Sequence, residues 1–320
     1  MKTNRRIEDI LDTAQREQRC AVGLADRDRR ALLRRAREGL LDRPHRNLYV
    51  RSEYWRSLTP HQQHLHLARS LAVLHPQWVF AGLTAACVHG FEHQYATHRN
   101  AAVFVADPYA GPRRSSGIVH RLHMPDVRPV VVDGLRVTDA RRTLIDCAQR
   151  HSFREMLPMV DSAARRGVDI QGLPSLCREL GQDGAMIARS CAYADPLSEN
   201  GGESLARAMM IELGFMVPRL QREFPHPTNP ETPYRADFTW ELPGGVVIVG
   251  EYDGMGKYVM ADARRGTIQA RVHAEREREV HLLAQGVTRI VRFEFDDLTH
   301  PERLERKLVE AGVPRHRPGG

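Results

Sequence analysis

The chain has no apolar run of the roughly 18 residues that a transmembrane helix requires, so we expect no membrane span. Its first twenty residues contain no apolar segment typical of a secretory signal, which predicts a cytoplasmic protein. Five cysteines are scattered without a CxxC pair: Cys20, Cys87, Cys147, Cys177 and Cys191. An odd, unpatterned set of this kind predicts reduced, buried thiols rather than a disulfide or zinc framework.

Positive charge is present but unevenly distributed. The 320 residues carry a net charge of +7, and residues 1–57 hold fifteen Lys and Arg against nine Asp and Glu. The other 263 residues are almost balanced. A clustered basic excess is typical of a protein that binds the phosphate backbone of double-stranded DNA. The alternative is a solvated basic surface in an organism that favours arginine.

The first segment, residues 1–57, shows the periodicity of two helices. Ile7, Leu11 and Ala14 recur at helical spacing, and Asp26 is predicted to cap a helix over 27–38 that ends before Gly39. That helix carries four arginines that we predict to bind DNA: Arg29, Arg30, Arg34 and Arg37. The following residues, 40–50, indicate a short hairpin. Helices followed by a β-wing predict a winged helix-turn-helix, with an ordinary basic helix and turn as the alternative.

The second segment, residues 58–197, is predicted to be a mixed α/β middle domain that ends in a weakly patterned linker from about residue 167. Thr59-Pro60 is the beginning expected of a helix, and Asp133-Gly134 is expected to form a hairpin turn. Two histidine groups attract attention here: His61, His64 and His66, and then His89 and His93. Gln62 and Gln63, between His61 and His64, are typical of a plain surface, and we therefore expect no metal ion on these histidines.

The third segment, residues 198–320, is predicted to have the order αβββαβα. Glu251 and Asp253 are two residues apart on one predicted strand and therefore share a face, and Asp237 lies on the neighbouring strand. Adjacent carboxylates repel unless a cation offsets them, and such oxygen ligands suit Mg²⁺ or Mn²⁺. Glu203 is a further candidate ligand. Lys257 is expected to orient a water molecule or stabilise developing charge, which makes Asp237, Glu251, Asp253 and Lys257 the candidate catalytic residues.

A simpler interpretation of the same residues needs no metal. Asp253-Gly254 is also what a strand-ending turn looks like, and Glu251 can form a surface ion pair with Arg276 or Arg278. Spacing alone leaves both interpretations open.

Several blocks of the third segment resemble a nuclease-like domain found in a group of actinobacterial proteins: Gly202–Leu205, Gln221–Glu223, Ala236–Phe238, Glu251–Tyr258 and Glu275–Glu279. That domain is similar to the very-short-patch-repair endonucleases and the wider PD-(D/E)xK superfamily, and the resemblance covers about residues 200–298. It implies an αβββαβ restriction-endonuclease-like core and a magnesium-dependent nuclease site. Asp253 stands where that superfamily has its lysine, and Lys257 is the residue that can substitute for it.

Upstream blocks resemble the AbiEi-type antitoxin and transcriptional-regulator family of type IV toxin–antitoxin systems: Leu48–Val50, Ala81–Gly90 and Val137–Asp146. This resemblance covers about residues 1–165. It implies a winged helix that binds operator DNA, followed by a domain that serves assembly or regulation. A cognate toxin and a homo-oligomer are the protein partners compatible with it.

Together these patterns predict an α+β multidomain protein with domains at 1–57, 58–197 and 198–320. The function predicted first is a DNA-binding transcriptional regulator of the antitoxin kind with a nuclease-like C-terminal domain. An active Mg²⁺-dependent DNA endonuclease, targeted by the N-terminal domains, is the alternative. A pure interaction module that sequesters a toxin is the third hypothesis.

Overall fold

Helices and strands are mixed along the whole described chain, as the predicted α+β class requires. The structure is a computed structural model that describes residues 5–98, 101–109, 117–226, 229, 231–254 and 265–315. It divides into an N-terminal unit, residues 1–152 with 167–191, and a C-terminal unit, residues 153–166 with 192–320. Within the described ranges, no helix is both long and apolar enough to cross a membrane.

The N-terminal unit begins with two helices and a small antiparallel sheet. The elements are α1 (Arg5–Arg16), β1 (Ala21–Val22), α2 (Asp26–Arg37), β2 (Leu41–His45) and β3 (Leu48–Arg51), with strand order β1-β3-β2. Ile7, Leu11 and Ala14 are buried as the periodicity predicts. Asp26 is not the cap, because α2 begins at Asp26 after Ala25. The Asp26 carboxylate instead pairs with Arg29 at 2.8 Å.

Short helices and two-stranded sheets form the rest of the N-terminal unit. They are α3 (Ser52–Ser57), α4 (Pro60–Leu74), α5 (Gly82–His89), a 3₁₀ helix (Tyr95–His98), β4 (Val103–Asp107), β5 (Val119–His123), β6 (Val130–Val132), β7 (Leu135–Val137), α6 (Ala140–Ala148), α8 (Leu173–Glu179) and α9 (Ala185–Ala192). Thr59 caps α4 and forms a reciprocal capping box with Gln62. The linker predicted from residue 167 is wrong for α8 and α9, which bury Leu173, Cys177 and Ile187.

A four-stranded sheet with the order β11-β10-β9-β8 forms the centre of the C-terminal unit. The elements are α7 (Phe153–Arg165), α10 (Gly201–Glu212), β8 (Arg219–Phe224), β9 (Tyr234–Leu242), a 3₁₀ turn (Pro243–Gly245), β10 (Val246–Asp253), α11 (Arg265–Ala284), β11 (Val287–Glu294), α12 (Phe295–Thr299) and α13 (Pro301–Ala311). Strands β8 to β10 are antiparallel, whereas β10 and β11 are parallel and joined through α11. From α10 onward the predicted order αβββαβα is observed, with the short helix α12 added before the final helix α13.

Both faces of this sheet are covered by apolar side chains. Phe238, Trp240 and Phe293 pack with residues of α10 and α13 on one face, and Val249 packs with Leu282 of α11 on the other. A strand that is buried on both faces has a continuous run of apolar residues in its sequence, and residues 246–249 are such a run. Polar residues on these strands therefore stand out at the strand ends.

Helix α7 joins this unit through a buried ion pair. Arg207 of α10 donates to both carboxylate oxygens of Asp161 on α7, at 2.8 and 2.7 Å, and to the Tyr193 carbonyl at 2.6 Å. Both charged side chains are almost fully buried. Because a buried charge is costly without its partner, α7 is tied to the C-terminal unit, although the predicted domain boundary lies after residue 197.

Candidate functional site

Asp237 and Glu251 lie on neighbouring strands where the pairing of β9 and β10 ends. Phe238 is paired with Gly250 in the antiparallel register, so Asp237 and Glu251 follow as the next two neighbours. Glu251 is 7% exposed. Burial raises the pKa of Glu251, the neighbouring Arg278 opposes part of that shift, and Asp237 adds to it. The structure thus brings these two predicted ligands into electrostatic contact.

The regular pleat of the sheet is interrupted at Asp237. Phe238 packs toward α10, whereas Ala236 packs toward α11, although residues two apart on a regular strand share a face. The opposite residue on β8 is Gln221, which has a positive φ of 48°. The Asp237 carboxylate accepts hydrogen bonds from the Tyr252 backbone N–H at 2.9 Å and from the Gln221 amide at 3.5 Å.

Glu203 approaches the same group from the first turn of α10. Its Oε2 accepts a hydrogen bond from the Glu199 backbone N–H at 2.8 Å and one from the Gln221 amide at 3.4 Å. Burial raises the pKa of Glu203 to about 7, the Glu199 hydrogen bond opposes this, and Asp237 raises it further. Gln221 therefore bridges Glu203 and Asp237. Sequence reasoning missed this role because the bridge depends on the irregular backbone of β8.

Two arginines contact the carboxylate of Glu251. Arg278 Nη2 lies 2.7 Å from Glu251 Oε1, and Arg292 Nε lies 3.7 Å from Oε2. The ion pair that the sequence allowed with Arg276 or Arg278 is thus formed with Arg278, and it joins a buried carboxylate to a half-buried guanidinium group. The Oε1 atom, although close to the Arg278 guanidinium, accepts no aligned hydrogen bond among the described residues.

Of the other two predicted site residues, the structure describes Asp253 but not Lys257. Asp253 is the last residue of β10, half-buried, and its register partner on β11 is Glu294. Lys257 lies outside the described residues, so its role stays a prediction.

The four arginines predicted to bind DNA all lie exposed on α2, whereas Leu32 of the same helix is fully buried. Arg29 forms an exposed pair with Asp26, and Arg34 lies 3.9 Å from Glu38. In the described part of the chain, Arg30 and Arg37 make no ion pair. By contrast, Arg35 is buried and lies 3.5 Å from Glu8, so it belongs to the packing of α2 on α1. The outward face of α2 is therefore basic.

Comparisons with known proteins give a distant relationship. The chain is 28% identical over 160 residues to the uncharacterized proteins MT2308 and Rv2248 of two Mycobacterium tuberculosis strains. The match covers 49% of this chain and 56% of each relative, so the chain spans about half the length of the curated relatives it matches. No family model and no solved structure matches the chain.

Proposed function

We propose that the protein binds double-stranded DNA through the outward face of α2 and acts as a transcriptional regulator with a nuclease-like C-terminal unit. The observation that carries the proposal is the exposure of Arg29, Arg30, Arg34 and Arg37 together on one helix. Exposed guanidinium groups bind phosphate oxygens and release condensed counterions, which is the main source of affinity for DNA.

The surroundings of α2 support this role. Helix α2 is held from behind by buried Leu32 and by Asp28, whose carboxylate accepts two hydrogen bonds from Arg6 of α1, each of 2.8 Å. The hairpin formed by β2 and β3 follows it directly. A rigidly held basic helix beside a hairpin is the arrangement with which winged-helix proteins contact a groove and the adjoining backbone.

The experiment is a salt titration of duplex binding by fluorescence anisotropy. The variant in which Arg29, Arg30, Arg34 and Arg37 are all changed to Ala should bind more weakly at every salt concentration. Each lost phosphate contact lowers the slope of log K against log salt by about 0.9. The matched control removes the same charge from exposed arginines elsewhere: Arg128, Arg136, Arg166 and Arg178. Equal salt dependence in the two variants would remove α2 from the DNA interface.

The carboxylates of the C-terminal unit are suited to a hard divalent cation. Glu203, Asp237 and Glu251 are oxygen donors whose mutual repulsion is only partly offset, and Glu251 Oε1 lacks an aligned partner among the described residues. These three side chains, with Asp253 two residues after Glu251 on β10, would hold Mg²⁺ or Mn²⁺. When bound, such an ion would polarise a phosphoryl oxygen of the DNA backbone.

One observation favours the alternative of an active endonuclease. Two acidic groups with raised pKa values, Glu203 and Glu251, lie together at one end of the sheet, and such perturbed groups concentrate at functional sites. Supercoiled plasmid incubated with the protein and Mn²⁺ tests it. An endonuclease nicks the plasmid, and both Asp237→Asn and Glu251→Gln abolish nicking, whereas a binding domain without activity leaves the plasmid intact.

The antitoxin character of the regulator rests on the resemblance of the upstream blocks. It predicts repression of the protein's own promoter and formation of a complex with a cognate toxin. A promoter–reporter fusion in cells that carry the parent or the α2 variant measures the first. Repression by the parent and its loss in the α2 variant is the expected result, and equal reporter expression with and without the parent would contradict it.

A further inference from the structure

Four side chains of the types that bind zinc converge inside the N-terminal unit. They come from the first turn of α4, from α5, from the loop after it and from the 3₁₀ helix: His61, Cys87, His93 and His98. One ligand atom from each lies within 4.8 Å of the others. Cys87 and His98 are buried, and His61 and His93 are half-buried.

The distances within this His/Cys cluster match those of a shared ion. Cys87 Sγ lies 3.5 Å from His93 Nε2 and 3.8 Å from His98 Nε2, and the two imidazole nitrogens are 2.8 Å apart. With Zn–S of about 2.3 Å and Zn–N of about 2.0 Å, tetrahedral ligand atoms lie roughly 3.3–3.6 Å from one another. The ligand atoms of Cys87, His93 and His98 need to move only by fractions of an ångström to enclose zinc, whereas the ligand atom of His61 lies within 4.8 Å of the others and must move closer.

The tautomer of His93 is fixed in the form that a metal ligand needs. Its Nδ1 lies 2.7 Å from the Phe91 carbonyl oxygen, to which it donates, and this leaves the lone pair on Nε2 directed into the cluster. A second hydrogen bond of this kind is usual for zinc-bound histidines.

Neighbouring histidines show what an ordinary buried histidine looks like in this unit. His64 Nε2 makes a 3.0 Å hydrogen bond with the Thr84 hydroxyl, and His66 contacts the Tyr54 hydroxyl at 2.8 Å and the Gln62 carbonyl at 2.7 Å. Each of these two histidines forms its hydrogen bonds with a hydroxyl or carbonyl group, and not with another histidine or a cysteine. In the His/Cys cluster, the ring nitrogens and the thiol face one another instead.

We propose that His61, Cys87, His93 and His98 bind one zinc ion in a closed, structural site. Imidazole nitrogen and thiolate sulfur are both zinc ligands, and zinc accepts four of them together in tetrahedral geometry. Four protein ligands leave no open coordination position for catalysis. The ion ties α4 and α5 to the segment 91–98, which has no long helix or strand of its own.

Metal analysis of the purified full-length protein tests the proposal. We expect one zinc per chain by mass spectrometry of the metal content, retained in His66→Gln and lost in His98→Gln and Cys87→Ser. Protein in which Co²⁺ replaces Zn²⁺ should show the visible absorption of tetrahedral cobalt together with a sulfur-to-cobalt charge-transfer band. The cobalt spectrum of the parent identifies the thiolate ligand even where the cysteine variant fails to fold.

Two results would overturn the site. One is a parent protein that contains no zinc after growth and purification with zinc present and binds no Co²⁺. The other is zinc retained in full by the folded Cys87→Ser and His98→Gln variants. Glu251→Gln should keep its zinc, which separates this site from the carboxylates of the C-terminal unit.

Discussion

The two polar clusters of the molecule differ in how their electrostatic cost is offset. In the C-terminal unit, the Glu251 carboxylate is contacted by Arg278 and Arg292, so cations from the same chain supply part of what a metal would supply. In the His/Cys cluster, neutral imidazoles and a thiol direct their ligand atoms at one another.

This difference has a thermodynamic consequence. A carboxylate that is already paired gains less from a metal ion, because the ion must compete with the arginines. Burial raises the pKa of Cys87 well above that of a free thiol, so zinc must displace the thiol proton when it binds, but it competes there with protons and not with arginines. We therefore expect tight zinc binding in the N-terminal unit and weak, exchangeable magnesium binding in the C-terminal unit.

Zinc removal should produce the largest effect on stability. The affinity of structural zinc sites is roughly 10–16 kcal/mol in small peptides, and we expect a loss of several kcal/mol here because the N-terminal unit also has its own apolar core. Thermal unfolding with and without a strong zinc chelator measures this. His66→Gln, which keeps the four ligands, should respond like the parent, and identical melting curves with and without the chelator would contradict the structural role.

Breaking the buried ion pair of Arg207 and Asp161 should rank next. Arg207→Met leaves the Asp161 carboxylate buried without its partner, which costs about 3–5 kcal/mol. Replacing both residues, as in Arg207→Met with Asp161→Leu, should recover most of that loss because no charge remains buried. Urea unfolding of the three proteins measures the difference, with zinc content as the control. A double variant no more stable than the single one would refute this explanation.

The sequence predicted those parts of the fold whose signal is local. Ile7, Leu11 and Ala14 repeat at helical spacing within one element, and the apolar run 246–249 indicates a central strand within a few residues. Helices α8 and α9 were missed because each has only two turns and buries few side chains, which gives too short a pattern to recognise.

The same difference between local and non-local signals separates the two candidate sites. Asp237 and Glu251 are close in sequence and lie on strands joined by a short connection, so their proximity followed from strand geometry. The His/Cys cluster was not predicted, because His61 and Cys87 meet only when α4 packs on α5, as the His64–Thr84 contact shows. His98 gave no signal of its own, and Cys87, which lies only six residues before His93 in the chain, was overlooked as a partner.

Acid should stabilise the C-terminal unit in the absence of divalent metal. Burial raises the pKa of Glu203 to about 7, above its value in the unfolded chain, so the protonated form is favoured by folding. This contribution is fully present below the unfolded pKa and is lost as pH rises to about 7, by at most about 3 kcal/mol. Urea unfolding without added Mg²⁺ or Mn²⁺ across this range measures it. Glu203→Gln should flatten the profile, and an unchanged slope would exclude Glu203 as its cause.

Magnesium should produce the smallest effect, and it sharpens the contrast between the two clusters. A ligand that binds only the folded protein stabilises it by about 2.7 kcal/mol at a hundred times its dissociation constant, and competition from Arg278 keeps millimolar Mg²⁺ below that excess. We expect a rise in melting temperature of a few degrees with Mg²⁺ or Mn²⁺.

Two variants test whether the charge of Glu251 causes this metal-dependent rise in melting temperature. Glu251→Gln nearly preserves the side-chain shape but removes the charge shared by the metal and Arg278, so the metal-dependent rise should largely disappear. Arg278→Gln removes the competing cation and should instead enlarge the rise, because the carboxylate then depends more on the added ion. The two variants thus move the metal response in opposite directions if Glu251 is a ligand. If Mg²⁺ changes the melting temperature of both variants equally, Glu251 is only the ion-pair partner of Arg278 and does not bind the metal.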